Sequence, residues 1–117
     1  MNAPEPAPWD IVRVAFPYAD RATMRHRPAL VIAAPAATNE FSILWLLMIT
    51  SATRGLWDLD VPISDLRRGG LSLPCVVRTS KVTSLDSRLA ERIGDLAEAD
   101  RGRVAACLRR LLDAARL

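Results

Sequence analysis

The sequence predicts a mainly β domain: a small, strongly bent sheet or barrel of five or six short strands, capped by one C-terminal helix. Three observations carry that expectation. Between residues 10 and 96, short runs alternate apolar and polar side chains with a period of two. From Glu98 onward the apolar residues recur at helical spacing instead. With 117 residues, 50% of them hydrophobic and 25% charged, the chain has a globular composition and enough length for one modest core.

The elements follow in order. Residues 1–8 carry Glu5, three prolines and no apolar run of the kind a signal peptide needs, and read as a short disordered lead to a single domain over residues 9–117. "DIVRVAF", residues 10–16, sets Val12, Val14 and Phe16 against Ile11 and Arg13, a half-buried strand. "PYADRATMRHR", residues 17–27, is a polar, basic loop, and "PALVIAA", residues 28–34, is the second strand. Pro28 disfavours helical backbone at the residue before it, so Arg27 is expected as the last residue of that loop, anchored at the mouth of a core strand. Residues 43–50 are apolar on both faces, which predicts a central strand or one pressed against a partner subunit. Trp45 within it is expected in the core or at a subunit interface. "WDLDVPI", residues 57–63, alternates again and is closed by Pro62. "SDLRRGGLSLP", residues 64–74, supplies a capping serine, a helical turn and a Gly-Gly break. "CVVRTSKVTSL", residues 75–85, gives one or two strands, and "AERIGDL", residues 90–96, a last short one. In the final helix Val104, Cys107, Leu108, Leu111, Leu112 and Ala115 form the apolar side. Arg101, Arg103, Arg109, Arg110 and Arg116 fall mainly on the solvated face.

Several classes are set aside by composition. The longest apolar run, "ILWLLMI" at residues 43–49, is far shorter than the roughly 18 residues that span a bilayer, and a soluble, cytoplasmic protein without membrane contact is expected. Cys75 and Cys107 lie far apart, and with a single histidine in the chain no zinc ligand set can be assembled. Neither metal nor cofactor is expected, and both cysteines read as buried free thiols. The net charge of +3 comes from 15 arginines and one lysine against 13 acidic residues, but the placement of charge matters more than its sum. "MRHRPALVIAA", residues 24–34, delivers two arginines and the only histidine to the mouth of a strand. An arginine anchored there is a structural clamp or a phosphate binder, since its planar guanidinium meets two phosphate oxygens at once.

The ordered series "FPYAD…RHRPALVI", "LLMITS", "GL…LPCVVRTSKVTSLD" and "ERIGDL" followed by a helix resembles the MazF/PemK toxins of type II toxin–antitoxin modules, from about Trp9 to the C-terminus. The resemblance implies an SH3-like barrel of about five to seven strands with a C-terminal helix. It also implies a homodimer, a metal-independent endoribonuclease that cuts single-stranded RNA or mRNA at short sequences, and inhibition by a cognate antitoxin through an acidic, disordered segment. Residue by residue, it puts the family's catalytic arginine at Arg27 and its catalytic threonine at Thr50, and it matches Arg78 to an arginine that some members use as a further acid or phosphate contact.

RNA cleavage without a metal needs a proton acceptor, a proton donor and a cation for the crowded phosphorus. Arg27 and Arg78 suit the last task; Thr50 and Ser51 can orient the hydroxyl or the phosphate. Some members carry an aspartate two residues after the arginine matched by Arg78, where this chain has Ser80 followed by Lys81, so the base is unassigned. His26 is of a type suited to proton transfer, and is equally readable as an RNA contact. Tyr18, Arg21, Arg25, His26 and Lys81 are expected to touch RNA, with the aromatic ring stacking on a base. Trp57 is open between core edge, base platform and antitoxin contact. Two rival readings stand beside the nuclease: a gyrase-binding toxin of the CcdB kind, which shares the barrel, and a degenerate member that binds RNA or antitoxin without turnover.

Overall fold

The computed structural model of the chain describes residues 5–17 and 24–116, with backbone alone at Phe16, Pro17, Met24 and Arg25. Six strands and one helix form: β1 (Asp10–Pro17), β2 (Met24–Ala37), β3 (Ser42–Ser51), β4 (Asp60–Pro62), β5 (Cys75–Asp86), β6 (Ala90–Asp95) and α1 (Glu98–Ala114). Single 3₁₀ turns lie at Ala52–Arg54 and Ser87–Leu89. The strands make one antiparallel sheet in the order β4-β5-β3-β2-β1-β6.

That order forces curvature. In a flat sheet β5 and β6 would stand four strand spacings apart, about 19 Å. Yet only the turn Ser87–Leu89 joins them, and such a turn rises about 2 Å per residue. The sheet therefore curls until the end of β5 approaches the start of β6. Ser87 holds the junction, its Oγ accepting from the Ser42 amide (3.0 Å) and donating to the Glu5 carboxylate (2.9 Å). The result is barrel-like, as expected, with β4 and β6 as the sheet's edges.

Curling creates two apolar interiors. One face buries Val12, Val14, Ala29, Val31, Leu44, Leu46 and Met48, closed by Leu85 at the end of β5 and Ala90 at the start of β6. The other buries Ile11, Leu30, Leu47, Ile49, Val61, Val77 and Leu96 against Val104 of α1, with Cys107 and Leu108 packed alongside. β3 lies between β2 and β5, as its two apolar faces predict.

Several expectations are corrected. Leu44 and Leu46 are fully buried within one chain, so the curl itself, not a partner subunit, covers the second face of β3. Trp45 is 47% exposed and outside the core, which leaves the subunit interface of the two places expected for it. The apolar side of α1 ends early, leaving Leu112 at 61% exposure and Ala115, just past the helix, in solvent. Cys75 and Cys107 are free but only half-buried. The strand expected over residues 57–63 shrinks to Asp60–Pro62. Residues 64–74 hold the expected helical turn, the Gly69 amide donating to the Asp65 carbonyl at 3.2 Å, but Ser64 does not cap it: its amide and hydroxyl both donate to Asp100 (2.8 and 2.9 Å), a fully buried carboxylate in the first turn of α1. The Gly-Gly break serves close approach as well as turning. Gly70 has φ +71°, and a side chain there would meet the Ile93 carbonyl of β6 at 2.3 Å, while one on Gly94 would meet the Arg68 carbonyl, also at 2.3 Å.

The 64–70 turns are also pinned by charge. Arg68 donates to both Asp95 oxygens at 3.0 Å and to Glu98 at 3.2 and 3.3 Å, and Arg101 adds the Leu96 carbonyl and Asp95. Hydrogen bonds from Arg68 hold both carboxyls below the usual carboxylate range. Their folded values lie below the unfolded ones, so the stability they contribute is complete above the ordinary range of about 4 and is lost as pH falls through the lowered values. Arg68→Ala should therefore lower the urea midpoint at neutral pH and flatten its decline in acid. An acid dependence identical to the parent's would show that the network does not couple to folding.

Candidate active site

The cleft that gathers the expected residues is a fork between two strands. The β2–β3 ladder runs from Ala37–Ser42 and ends at Ala29–Met48; beyond it β2 continues paired with β1 alone, and β3 with β5 alone. Pro28 sits at the fork, where its missing N–H leaves no ladder bond unmade on the β3 side. It is therefore inside β2, and so is Arg27, whose backbone pairs with Val14. The expectation of Arg27 as the last loop residue is corrected: the strand starts at Met24, four residues before the expected Pro28, because β1 supplies a partner that far.

His26, Arg27 and Pro28 form one wall of a cleft of about 280 Å³; Ile49, Thr50, Ser51 and Arg54 form the second, and Leu71, Ser72, Leu73 and Cys75 the third. Arg27 and Thr50 are half-buried and His26 is exposed. Among the described residues no carboxylate lines the cleft, and neither Arg27 nor the Thr50 hydroxyl has a hydrogen-bonding partner. A guanidinium and a hydroxyl are thus presented to one space with their donors unspent. The Ser51 hydroxyl is partly committed, accepting from the Thr53 amide (3.3 Å) and sharing a bond with the Thr53 hydroxyl (2.8 Å). Burial pushes the Cys75 thiol up, which disfavours its thiolate, and its Sγ donates to the Leu73 carbonyl at 3.0 Å.

Arg78 shares a sheet face with Arg27 and Thr50. Arg27 and Ala29 alternate along β2, Ala29 pairs with Met48, and Met48 pairs with Arg78. Its guanidinium is nevertheless spent elsewhere and does not line the cleft. Nε donates to Asp60 Oδ1 at 3.2 Å, and Nη2 donates to Asp60 Oδ2 at 3.0 Å and to the Gly55 carbonyl at 2.8 Å. The Trp57 ring stacks on it with 4.0 Å from the guanidinium carbon to the ring centroid. Both partners of the ion pair are buried, at 8% and 4% side-chain exposure. Asp60 also accepts from the Trp57 amide (2.8 Å), and the Thr79 hydroxyl donates to the Leu59 carbonyl (2.7 Å), fixing Leu59 at φ +69°. Arg78 therefore braces the 55–60 turn and holds one face of Trp57, whose ring is half exposed.

The remaining expected residues are scattered. Ser80 and Lys81 are exposed in a bulge of β5, where the register jumps from Met48–Arg78 to Leu47–Val82, and neither lines the cleft. Arg25 lies in β2, with its side chain outside the description. Tyr18 and Arg21 lie outside the described residues. Arg54, Leu71 and Ser72 were not foreseen; they reach the cleft through the backbone bond from the Ala52 amide to the Pro74 carbonyl (3.0 Å) and the 64–70 turns, contacts that leave no local pattern.

The comparisons agree with this architecture. A family model described as PemK-like, MazF-like toxin of type II toxin-antitoxin system matches residues 7–112. A chain from a MazE–MazF crystal structure (Form-II) of Deinococcus radiodurans superposes with a TM-score of 0.73 at 28% identity, covering 97% of this chain and 100% of that one. MazF (Form-I) from the same organism gives 0.67 at 26% identity over 95% and 99%. The Mycobacterium tuberculosis toxin MazF-mt6 gives 0.63 at 21% identity over 89% and 97%, a likeness of fold alone. No curated protein matches.

The bracing role of Arg78 has a thermodynamic signature. Arg78→Met leaves Asp60 buried without its cation and should cost about 3–5 kcal/mol in urea unfolding, whereas pairing it with Asp60→Leu should recover much of that loss. Equal destabilisation by the single and double variants would show that the pair is not what holds the turn.

Proposed function

The chain belongs to the PemK-like, MazF-like toxin family of type II toxin–antitoxin systems, a family of endoribonucleases, and we propose that it cuts single-stranded RNA in the fork between β2 and β3. What supports the site is the meeting of Arg27 and Thr50, distant in sequence, across a cleft free of carboxylates among the described residues. In the proposed reaction the ribose 2′-oxygen forms a bond to phosphorus while the bond from phosphorus to the 5′-oxygen breaks. The products are a 2′,3′-cyclic phosphate and a 5′-hydroxyl; one proton leaves the 2′-hydroxyl and one reaches the departing 5′-oxygen. No metal or cofactor enters.

Arg27 meets the non-bridging oxygens, whose charge grows toward the transition state. The Thr50 hydroxyl orients the phosphate, with Ser51 beside it. His26, on the same wall as Arg27, is assigned proton acceptance from the 2′-hydroxyl as well as RNA contact. Arg78 acts from outside the cleft by bracing the 55–60 turn, and Ser80 does not reach the cleft. Tyr18, Arg21, Arg25 and Lys81 belong to the wider RNA surface in this reading.

The protein is proposed to act as a homodimer. Trp45, Leu56, Trp57 and Leu73, between 47% and 70% exposed, leave apolar surface that a second subunit or a partner would cover. The partner is a cognate antitoxin whose acidic, disordered segment lays carboxylates in the cleft at Arg27 and so competes with RNA. The similar Deinococcus radiodurans chain comes from a MazE–MazF structure.

Arg27→Ala should slow cleavage of a long single-stranded RNA in EDTA about a hundredfold or more, without unfolding the domain; cleavage at the parental rate would move the active site elsewhere. If His26 takes the proton, His26→Gln should lower kcat about a hundredfold or more. A parental kcat would leave His26 as an RNA contact only.

A further inference from the structure

Which arginines are free distinguishes this surface. Arg68, Arg78, Arg88, Arg92, Arg101 and Arg103 each stand within 3.2 Å of a carboxylate oxygen. Among the described residues Arg13, Arg27, Arg54, Arg67, Arg109, Arg110 and Arg116 have no carboxylate partner, and of these Arg13, Arg27 and Arg54 lie along one continuous trough. The cleft holding Arg27, Thr50, Ser51 and Arg54 shares His26, Arg27, Pro28, Leu71 and Ser72 with an adjoining hollow of about 170 Å³, and Arg13 lines the far end of that hollow. Arg27 is common to both and stands between the other two. No carboxylate among the described residues lines either hollow.

The trough has an end as well as a course. Past Arg13 lies a third hollow of about 210 Å³, lined by Arg13, His26, Arg88 and Glu91 among others. There Glu91 faces Arg13 across the β1–β6 register, and Arg88 is held by Asp86 at 2.7 Å. A phosphate moving into that hollow would meet a carboxylate and a cation already spent. At the other end the 3₁₀ turn Ala52–Arg54 carries Arg54 to the rim.

We propose that Arg13 and Arg54 are the phosphate contacts flanking the scissile one, so that the protein grips three consecutive backbone phosphates at Arg13, Arg27 and Arg54, with Glu91 as an electrostatic stop beyond Arg13. The inference rests on the cleft being where RNA is cut. It adds what the family likeness does not state: which side chains of this chain set the length of backbone held, and that they act in binding rather than in the chemical step. Both side chains are exposed, so neither substitution threatens the core.

The test is the salt dependence of binding. The full chain is titrated with a randomised 2′-O-methyl oligoribonucleotide of about twelve nucleotides, which cannot be cut for want of a free 2′-hydroxyl, over a range of ionic strengths. Each phosphate neutralised on a single strand contributes about 0.7 to the slope of log affinity against log salt. Arg13→Gln and Arg54→Gln should each reduce the slope by about that amount and weaken binding several-fold, and together they should reduce it by about twice as much. Arg109→Gln, an exposed arginine of α1, should leave the slope unchanged. On a cleavable RNA the two variants should raise KM and leave kcat within about twofold of the parent, the pattern of lost uniform binding. Parental slopes in both variants, or a slope equally reduced by Arg109→Gln, would overturn the proposal. Binding with the expected slopes but no cleavage of ordinary RNA would keep the phosphate track and remove the nuclease reading; absence of binding would overturn the track.

Discussion

β3 must hide both of its faces, and the rest of the molecule is arranged around that demand. Leu44, Leu46 and Met48 point one way and Leu47 and Ile49 the other, and each fully buried side chain of this size favours folding by about 1.5–3 kcal/mol. One helix can cover one face only. The other is covered because β5 and β6 are tied by a three-residue turn that a flat sheet could not accommodate. A strand apolar on both sides gives up the alternation that ordinarily pins register, since a one-residue slip would exchange one greasy face for another. Polar groups at the ends of the strand take over that task. The buried pair of Asp60 and Arg78 fixes the row in which Met48 stands, and the Thr79 hydroxyl fixes the turn beside it.

The cleft is a by-product of the same geometry. β2 and β3 are neighbours only as far as Ala29 and Met48, and their divergence beyond that row separates Arg27 and Thr50 by open space rather than by a ladder bond. Since both residues belong to long strands paired on their other sides, the cations and hydroxyls of the fork are carried on rigid backbone. The same principle places Trp57, which is exposed yet clamped: a guanidinium against one face and its amide on a buried carboxylate leave little freedom in the turn that bears it.

Much of the fold is legible in the residues. The period-two runs at 10–16, 43–50 and 75–85 and the helical spacing after Glu98 each correspond to an element of the right type. The misses share one cause, which is contact between segments far apart in the chain. The carboxylate that occupies Arg78 is 18 residues upstream, Ser64 is bound to a helix residue 36 positions later, and β2 starts early because β1 is there to meet it. The site was legible in its types, an arginine before a proline and a threonine at a strand end. Its third wall, Leu71 to Cys75, was not, because nothing local in a glycine-rich turn says what it will pack against.

The pairing of β6 with β1 has a temporal consequence. The β1–β6 register joins Asp10 to Asp95 and Val14 to Ala90, contacts of high sequence separation whose loop entropy must be met before they reward folding. On a ribosome, β1 therefore waits with one edge unpaired until β6 has been made. The β1–β2 arm carrying Arg27 is synthesised early but cannot be seated in the completed sheet until the residues of β6 arrive. A protein whose active form would attack the template of its own synthesis is thus assembled last where it matters most, by the topology of its strands.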